Sequence, residues 1–200
     1  MVDTKDEMLA AVMTRRSESR LADPAPSDEE LAQILRAATT VPDHGHLQPW
    51  RLVVVRDDAR AAFGDALAAT ARRHDGSLDD RRAAKIRSKA FEAPLLVALA
   101  ARIREKRGVP PWEQIASAAC TGYVMTLAAH ELGLGAIWKT SPFLDGKEIR
   151  KVLDLTKGDA PLGWVNLGRH VKPARSRPDI DLAPIVRVLG TDGTPRPYQS

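Results

Sequence analysis

Two guanidinium groups and a hydroxyl stand in a row at Arg15-Arg16-Ser17. They offer the charge-assisted, bidentate hydrogen bonds that hold a phosphate. The plainer reading is that the arginines only satisfy the last carbonyls and the macrodipole of a preceding helix. A few dozen residues later, Pro42-Asp43-His44-Gly45-His46-Leu47-Gln48-Pro49-Trp50 makes a sharply turned polar loop that leads into an apolar strand. His44 and His46 flank Gly45, a spacing that raises metal binding, since neutral imidazole is a common ligand. No HExxH pattern, cysteine pair or third clustered ligand accompanies them, so no metal is expected. Local hydrogen bonding and polar contact with a flat heteroaromatic ligand both remain open; Gln48 and the close backbone approach allowed by Gly45 favour the second. At Trp138-Lys139-Thr140 a cation interrupts an apolar strand end, where it would stabilise an anionic cofactor form, whereas Trp138 reads as core. Anion clamp and polar loop together point to a phosphorylated cofactor. There is no Walker loop, no GxGxxG and no serine-hydrolase elbow; Gly133-Leu134-Gly135 is too short to count.

The elements that must position these residues follow from periodicity. Met8, Leu9, Val12 and Met13 recur at helical spacing and predict an amphipathic helix ending near Arg15. Ser27-Asp28-Glu29-Glu30 has the form of a capping box before the stripe Leu31, Ile34, Leu35 and Ala38, and Pro42 closes that helix. Leu52 to Val55 is a continuous apolar run rich in β-branched valine, expected to be a strand buried on both faces. Helices follow from Ala59 to about His74 and from Asp79 to about Ala90, then a strand from Pro94 to Ala101. From Trp112 to Leu132 a helix is apolar nearly all round and must be buried in a large core or against another subunit. Ala136 to Thr140 reads as a short strand, Asp145 as the cap of a helix running to Leu153, Leu162 to Leu167 as a strand, and Ile185 to Val188 as a last short strand. From Gly190 onward the chain is expected to fray. No internal repeat interrupts this single α+β domain of residues 1–200.

At 200 residues the chain can bury one sizeable core, and 44% hydrophobic with 28% charged residues is an ordinary globular balance. The apolar run Pro94 to Ala101 is far short of the roughly 20 residues of a membrane helix. The first dozen residues lack the pattern of a secretory signal, so a cytoplasmic location without membrane contact is expected. Cys120, the single cysteine, sits among Ala118, Ala119 and Gly122 and is expected to pack in the core. A formal charge of +4 favours anionic ligands. The pairs Arg72-Arg73 and Arg81-Arg82 raise a nucleic-acid module, but with 4% aromatic residues base stacking has little to work with, and no nucleic acid is expected.

From Met8 to Leu182 the chain resembles the FMN-dependent nitroreductases, most closely their small, minimal single-domain branch. The resemblance rests on the first helix leading to Arg15-Arg16-Ser17 and Arg20, the segment Ala25 to Leu35, Gln48-Pro49-Trp50 before a valine-rich strand, and Trp112-Glu113-Gln114 through Gly135 and Trp138. It implies a two-layered α+β fold with a central, mainly antiparallel sheet flanked by helices, and an intertwined homodimer with FMN at the subunit interface. By the same resemblance, Arg15, Arg16 and Ser17 hold the phosphate and ribityl end, joined by Arg175 in preference to Lys172 or Arg177. Thr40 and His44 approach from the neighbouring subunit, and Trp138, Lys139 and Thr140 run along the isoalloxazine ring. Ala128, Ala129, His130, Glu131, Leu132 and Gly133 are similar to a segment associated with NAD(P). Asp43, His44 and His46 stand where many members have serine and asparagine.

The function implied is a ping-pong hydride transfer from NADH or NADPH, through FMN, to a nitroaromatic, quinone or similar small-molecule acceptor. No side chain need act as nucleophile or general base, because the flavin carries the chemistry. The alternatives are a flavin-binding or storage protein with little turnover and, less favoured, the basic nucleic-acid module.

Overall fold

The structure, a computed structural model, describes residues 4–172, 178 and 180–198. Its spine is a pair of long antiparallel strands, β3 (Leu95–Arg102) and β5 (Asp159–His170), in register from Leu95 opposite Leu167 to Arg102 opposite Asp159. On the far edge of β3 lies β2 (Trp50–Arg56), from Trp50 opposite Ala101 to Arg56 opposite Leu95. Along β5 run β4 (Gly135–Lys139), from Gly135 opposite Gly168 to Lys139 opposite Trp164, and the short β1 (Leu21–Ala22), opposite His170 and Arg169. Every pairing is antiparallel.

Successive residues of a strand point to opposite faces, so β3 and β5 build two cores at once. Leu95, Val97, Val165 and Leu167 meet α2 (Asp28–Ala38) and α5 (Pro111–Glu131) through Leu31, Ile34, Met125 and Ala129. Leu96, Ala98 and Trp164 meet α3 (Ala59–His74) and α6 (Lys147–Val152) through Phe63, Leu67 and Ile149. Each large aliphatic side chain so buried contributes about 1.5–3 kcal/mol. Phe63 adds an edge-to-face contact with Trp164 at 5.5 Å between ring centroids. Helices therefore cover both faces of the sheet, one layer more than the two-layered arrangement expected.

Local signals hold where they involve only neighbouring residues. The Ser27–Glu30 capping box forms in both directions, and α3 spans the predicted residues. The remaining helices are α1 (Thr4–Thr14) and α4 (Asp80–Arg87), the latter capped by Asp79 and continued by a 3₁₀ turn at Ser88–Phe91.

Other expectations are corrected. β2, an edge strand paired with β3 alone, is not buried on both faces: only Val55 is buried, and Val54 is 37% exposed. From Met8 to Thr14 only Ala11 of α1 is buried, while Met8, Leu9 and Met13 are exposed. Cys120 is exposed too, since the buried stripe of α5 runs through Gln114, Ser117, Ala118, Thr121, Gly122 and Met125. Gly146, not Asp145, caps α6, and Asp145 instead accepts a 2.6 Å bond from Arg150 Nε. Past Gly190 the chain forms a hairpin, β6 (Arg187–Leu189) against β7 (Pro195–Pro197).

The β3–β5 ladder slips at Leu99–Ala100, leaving Leu162 unpaired on β5 beside Gly163, whose φ is +124°. The freed Leu162 carbonyl accepts Trp138 Nε1 at 3.0 Å. A Cβ at Gly163 would lie 2.2 Å from the Lys139 carbonyl oxygen. Gly163→Ala should therefore cost about 3 kcal/mol through strain and overpacking, read as a lower urea midpoint at unchanged m-value. A midpoint equal to the parent's would mean that the bulge yields freely.

Candidate functional site

The turn out of α1 is tied to its neighbours by three bonds. Arg15 N–H donates to Ala11 at 2.9 Å, Thr14 Oγ1 lies 3.0 Å from His130 Nε2, and Glu18 N–H donates to Ala136 of β4 at 2.9 Å. Arg15 lies over the Tyr123 ring at 5.8 Å, and its Nε is buried without a hydrogen-bond partner among the described residues. Beside it a cavity of about 560 Å³ is lined by Arg16, Ser17, Arg20, Val171 and Lys172, with Glu18 as a carboxylate on its wall. Arg175, expected to complete this clamp, lies outside the described residues, as does Arg177; Lys172 is the basic residue that the structure brings to Arg16 and Ser17.

Lys172 is carried by the end of β5, and that end is pinned. Arg169 donates bidentately to Glu30 at 3.0 and 2.8 Å, while Glu30 also accepts the Ser27 N–H at 2.7 Å. The Arg169 bonds, and then the Ser27 N–H, hold the Glu30 carboxyl below its ordinary value, outweighing the opposing effect of burial.

The second half of the site is a rigid turn. Asp43 accepts the Gln48 N–H at 2.7 Å, and Gly45, His46 and Gln48 all take positive φ, of +81°, +53° and +47°. Left-handed backbone at the two non-glycine positions costs roughly 1 kcal/mol or more each, so the surroundings must hold it. They do so from α5: Ser117 Oγ donates to the Pro42 carbonyl at 2.6 Å, and Glu113 meets His44 Nδ1 at 2.6 Å. A carboxylate only accepts, so the Nδ1 of His44 carries the proton and Nε2 is left for another group. Thr40 is exposed, with its hydroxyl spent on the Ala37 carbonyl at 2.8 Å.

Trp138 is half-buried against the core as read from sequence, and Lys139 is ion-paired with Glu92. Thr140 follows, exposed. Ala128 to Gly133 form the C-terminal turn of α5: Leu134 N–H closes on Ala129 at 2.8 Å, Gly133 N–H on His130 at 3.0 Å, and Gly133 takes φ +71°. Ala128, Glu131 and Leu132 also line an apolar cavity of about 340 Å³ with Val124, Leu127 and Ala37.

Helix α5 measures how far apart the two halves lie. The His44 turn is held at Glu113, whereas Arg15 rests on Tyr123, roughly 15 Å further along the axis at 1.5 Å per residue. Glu113, Ser117 and Glu92 carry no sequence signal that ties them to these partners. An acid in the first turn of a helix was a visible signal at Glu113, but nothing in the spacing linked it to His44.

Other motifs resolve into structure. Arg72 pairs with Asp80 at 2.8 Å, Arg73 with Glu148 and Arg82 with Asp79 at 3.9 Å, so most of the two arginine pairs is matched by carboxylates. Among the described residues no group of three His, Cys, Asp or Glu side chains could hold a metal ion, and no helix is long and apolar enough to cross a membrane.

The model of the nitroreductase family matches residues 12–169. The chain is 36% identical over 166 residues to the Escherichia coli K12 protein named "Putative NAD(P)H nitroreductase YdjA", covering 81% of this chain and 87% of that one. Among solved structures it resembles the nitroreductase-like family protein of Bacillus cereus, with a TM-score of 0.76, 22% identity, and 90% and 95% of the two chains covered. A nitroreductase with bound FMN from Bacteroides fragilis gives a TM-score of 0.71 at 20% identity, covering 92% and 99%.

The Glu30–Arg169 pair carries a pH signature. Because the folded carboxyl titrates below its ordinary 4.5, its contribution is present above that value and is lost as pH falls through the lowered one. Glu30→Gln should be less stable than the parent at pH 7, by about 1 kcal/mol once solvent screening is allowed for, and the gap should close in unfolding titrations taken below pH 4. A gap that stays constant with pH would show that the ion pair contributes nothing.

Proposed function

The chain belongs to the nitroreductase family, and on that premise we propose that it is a cytoplasmic, homodimeric FMN-dependent oxidoreductase that takes hydride from NADH or NADPH. The observation that carries this reading is the cavity at the end of α1. Arg16, Ser17, Arg20 and Lys172 line the space, and the adjoining Arg15 has a buried guanidinium nitrogen without a hydrogen-bond partner among the described residues. A buried donor left unmatched costs about 1–3 kcal/mol, which a phosphate would recover. These residues fit the phosphate end of FMN.

Bound there, FMN supplies two-electron hydride chemistry in two half-reactions, reduction by the nicotinamide and reoxidation by a nitroaromatic, quinone or similar acceptor. The chain's own residues bind and orient. Arg15, Arg16, Ser17 and Lys172 hold the phosphate, with Arg175 as the further proposed partner. Trp138, Lys139 and Thr140 border the ring, where the cation of Lys139 favours negative charge and Glu92 fixes its position. Thr40 and His44 are assigned to the partner subunit's cofactor, with the His44 imidazole oriented by Glu113. Ala128, Ala129, His130, Glu131, Leu132 and Gly133 keep their proposed association with the nicotinamide coenzyme on the strength of the resemblance.

A dimer is supported by apolar side chains that this chain leaves in water: Met8, Leu9 and Met13 on α1 are 68%, 61% and 65% exposed, and Trp112 on α5 is 66% exposed. The roughly 15 Å between the two halves agrees with their serving different cofactors. The lone cysteine suits a reducing compartment.

The purified protein should be yellow, release FMN on acid treatment, bleach with NADPH or NADH under argon and recover its colour with a nitroaromatic. A flavin that no nicotinamide bleaches would leave the storage protein as the better reading. Arg15→Ala and Glu113→Gln should each weaken FMN retention, by about 10- to 100-fold for the arginine and less for the glutamate, in fluorescence titrations of the flavin-free protein. Unchanged affinity in Arg15→Ala would overturn the phosphate assignment.

A further inference from the structure

We propose that the loop between β3 and α5, residues 103–110, reads the 2′-phosphate of NADPH and makes this protein select NADPH over NADH; the inference rests on the oxidoreductase reading above. Arg104-Glu105-Lys106-Arg107 sets three cations against one carboxylate, all exposed. None of the three cations meets a carboxylate among the described residues, whereas Arg51, Arg56, Arg87 and Arg150 all do.

The backbone that carries these cations is fixed. Gln114, 2% exposed, accepts the Arg104 N–H at 2.9 Å and donates to the carbonyls of Arg104 at 2.9 Å and Val109 at 3.4 Å. Val109 N–H closes the turn onto the Lys106 carbonyl at 3.0 Å. Cations on a backbone already ordered bind an anion without the entropic cost of arranging the loop. The loop borders an open basin of about 510 Å³. The first turn of α5 adds its positive dipole end there, and its carboxylate, Glu113, is already engaged by His44.

The position suits a coenzyme tail. Val109 Cγ2 lies 3.1 Å from where a Cβ on Gly45 would stand, so loop and His44 turn form one packed body. His44 is assigned to the partner subunit's flavin, which puts the three cations, carried by the same chain as His44, at the margin of that site. NADPH differs from NADH only by a phosphomonoester on the adenosine ribose, remote from the nicotinamide, so discrimination needs cations peripheral to the flavin. The α5 C-terminus is poorly suited to such discrimination, because it presents the negative dipole end and the exposed Glu131, and His130 is spent on Thr14.

Two measurements test this on the FMN-loaded protein and its Lys106→Ala/Arg107→Ala variant at low salt. In calorimetry, adenosine 2′,5′-bisphosphate should bind the parent at least about tenfold tighter than 5′-AMP, with the difference abolished in the variant and reduced by added salt. In stopped-flow flavin reduction, the parent should show a correspondingly lower apparent Kd for NADPH than for NADH, and the variant should raise only the NADPH value. Inorganic phosphate displacing the bisphosphate but leaving the 5′-AMP isotherm unmoved would fit a phosphomonoester site. Equal binding of the two nucleotides by the parent, or a variant that weakens both alike, overturns the proposal. Should neither nicotinamide reduce the flavin while the bisphosphate preference survives, the oxidoreductase reading falls and the anion site in the loop stands.

Discussion

Helix α5 packs closest on the sheet at Gly122, a residue with no side chain. A Cβ there would stand 2.9 Å from Leu99 Cδ2 and 3.0 Å from the Trp138 ring, tighter than packed atoms tolerate. With α5 seated, one rigid rod organises both halves of the site. Its first turns hold the 103–110 loop through Gln114 and the His44 turn through Glu113 and Ser117. Its later turns support Arg15 through Tyr123 and Thr14 through His130. The same contact sets Trp138, and with it the strand end that carries Lys139. The distance between the two halves is thus a property of one helix and not of flexible loops.

Charge is divided accordingly. Lys139 has Glu92, His44 has Glu113 and Arg169 has Glu30, so each is oriented by a fixed carboxylate and its charge is partly offset. At the end of α1 and in the 103–110 loop, cations outnumber carboxylates. Clustered cations repel one another unless an anion joins them, and their concentration in two places of a chain otherwise laced with ion pairs is what supports the two proposed anion sites.

What the sequence disclosed was what is local. The capping box needs only Ser27 and Glu30, and the helix of Ala59 to His74 needs only its own composition, so both were legible. The exposure of Val54 was not, because a valine-rich run says that a strand forms, whereas its burial depends on what packs over each face. Met8, Leu9 and Met13 are legible as one apolar face, yet nothing in the spacing says whether that face meets its own chain or another. The turn that carries His44 was legible through Gly45, but the tie of that histidine to Glu113 joins residues far apart in sequence, which periodicity cannot reveal. Asp145 illustrates competition: a good capping residue is drawn off by an arginine one turn later.

The central claim is that Arg15-Arg16-Ser17 and His44 of one chain serve different cofactors across a dimer. Subunit mixing tests it most directly. Arg15→Ala/Arg16→Ala protein and His44→Ala protein, each poor in bound FMN, are unfolded together and refolded in equal amounts. Every heterodimer then carries one site with both defects and one site with none, so random pairing should restore tight FMN binding to about a quarter of all sites. Flavin retention no greater than that of the two variants refolded separately would contradict the account, because it would mean that clamp and histidine act within one chain.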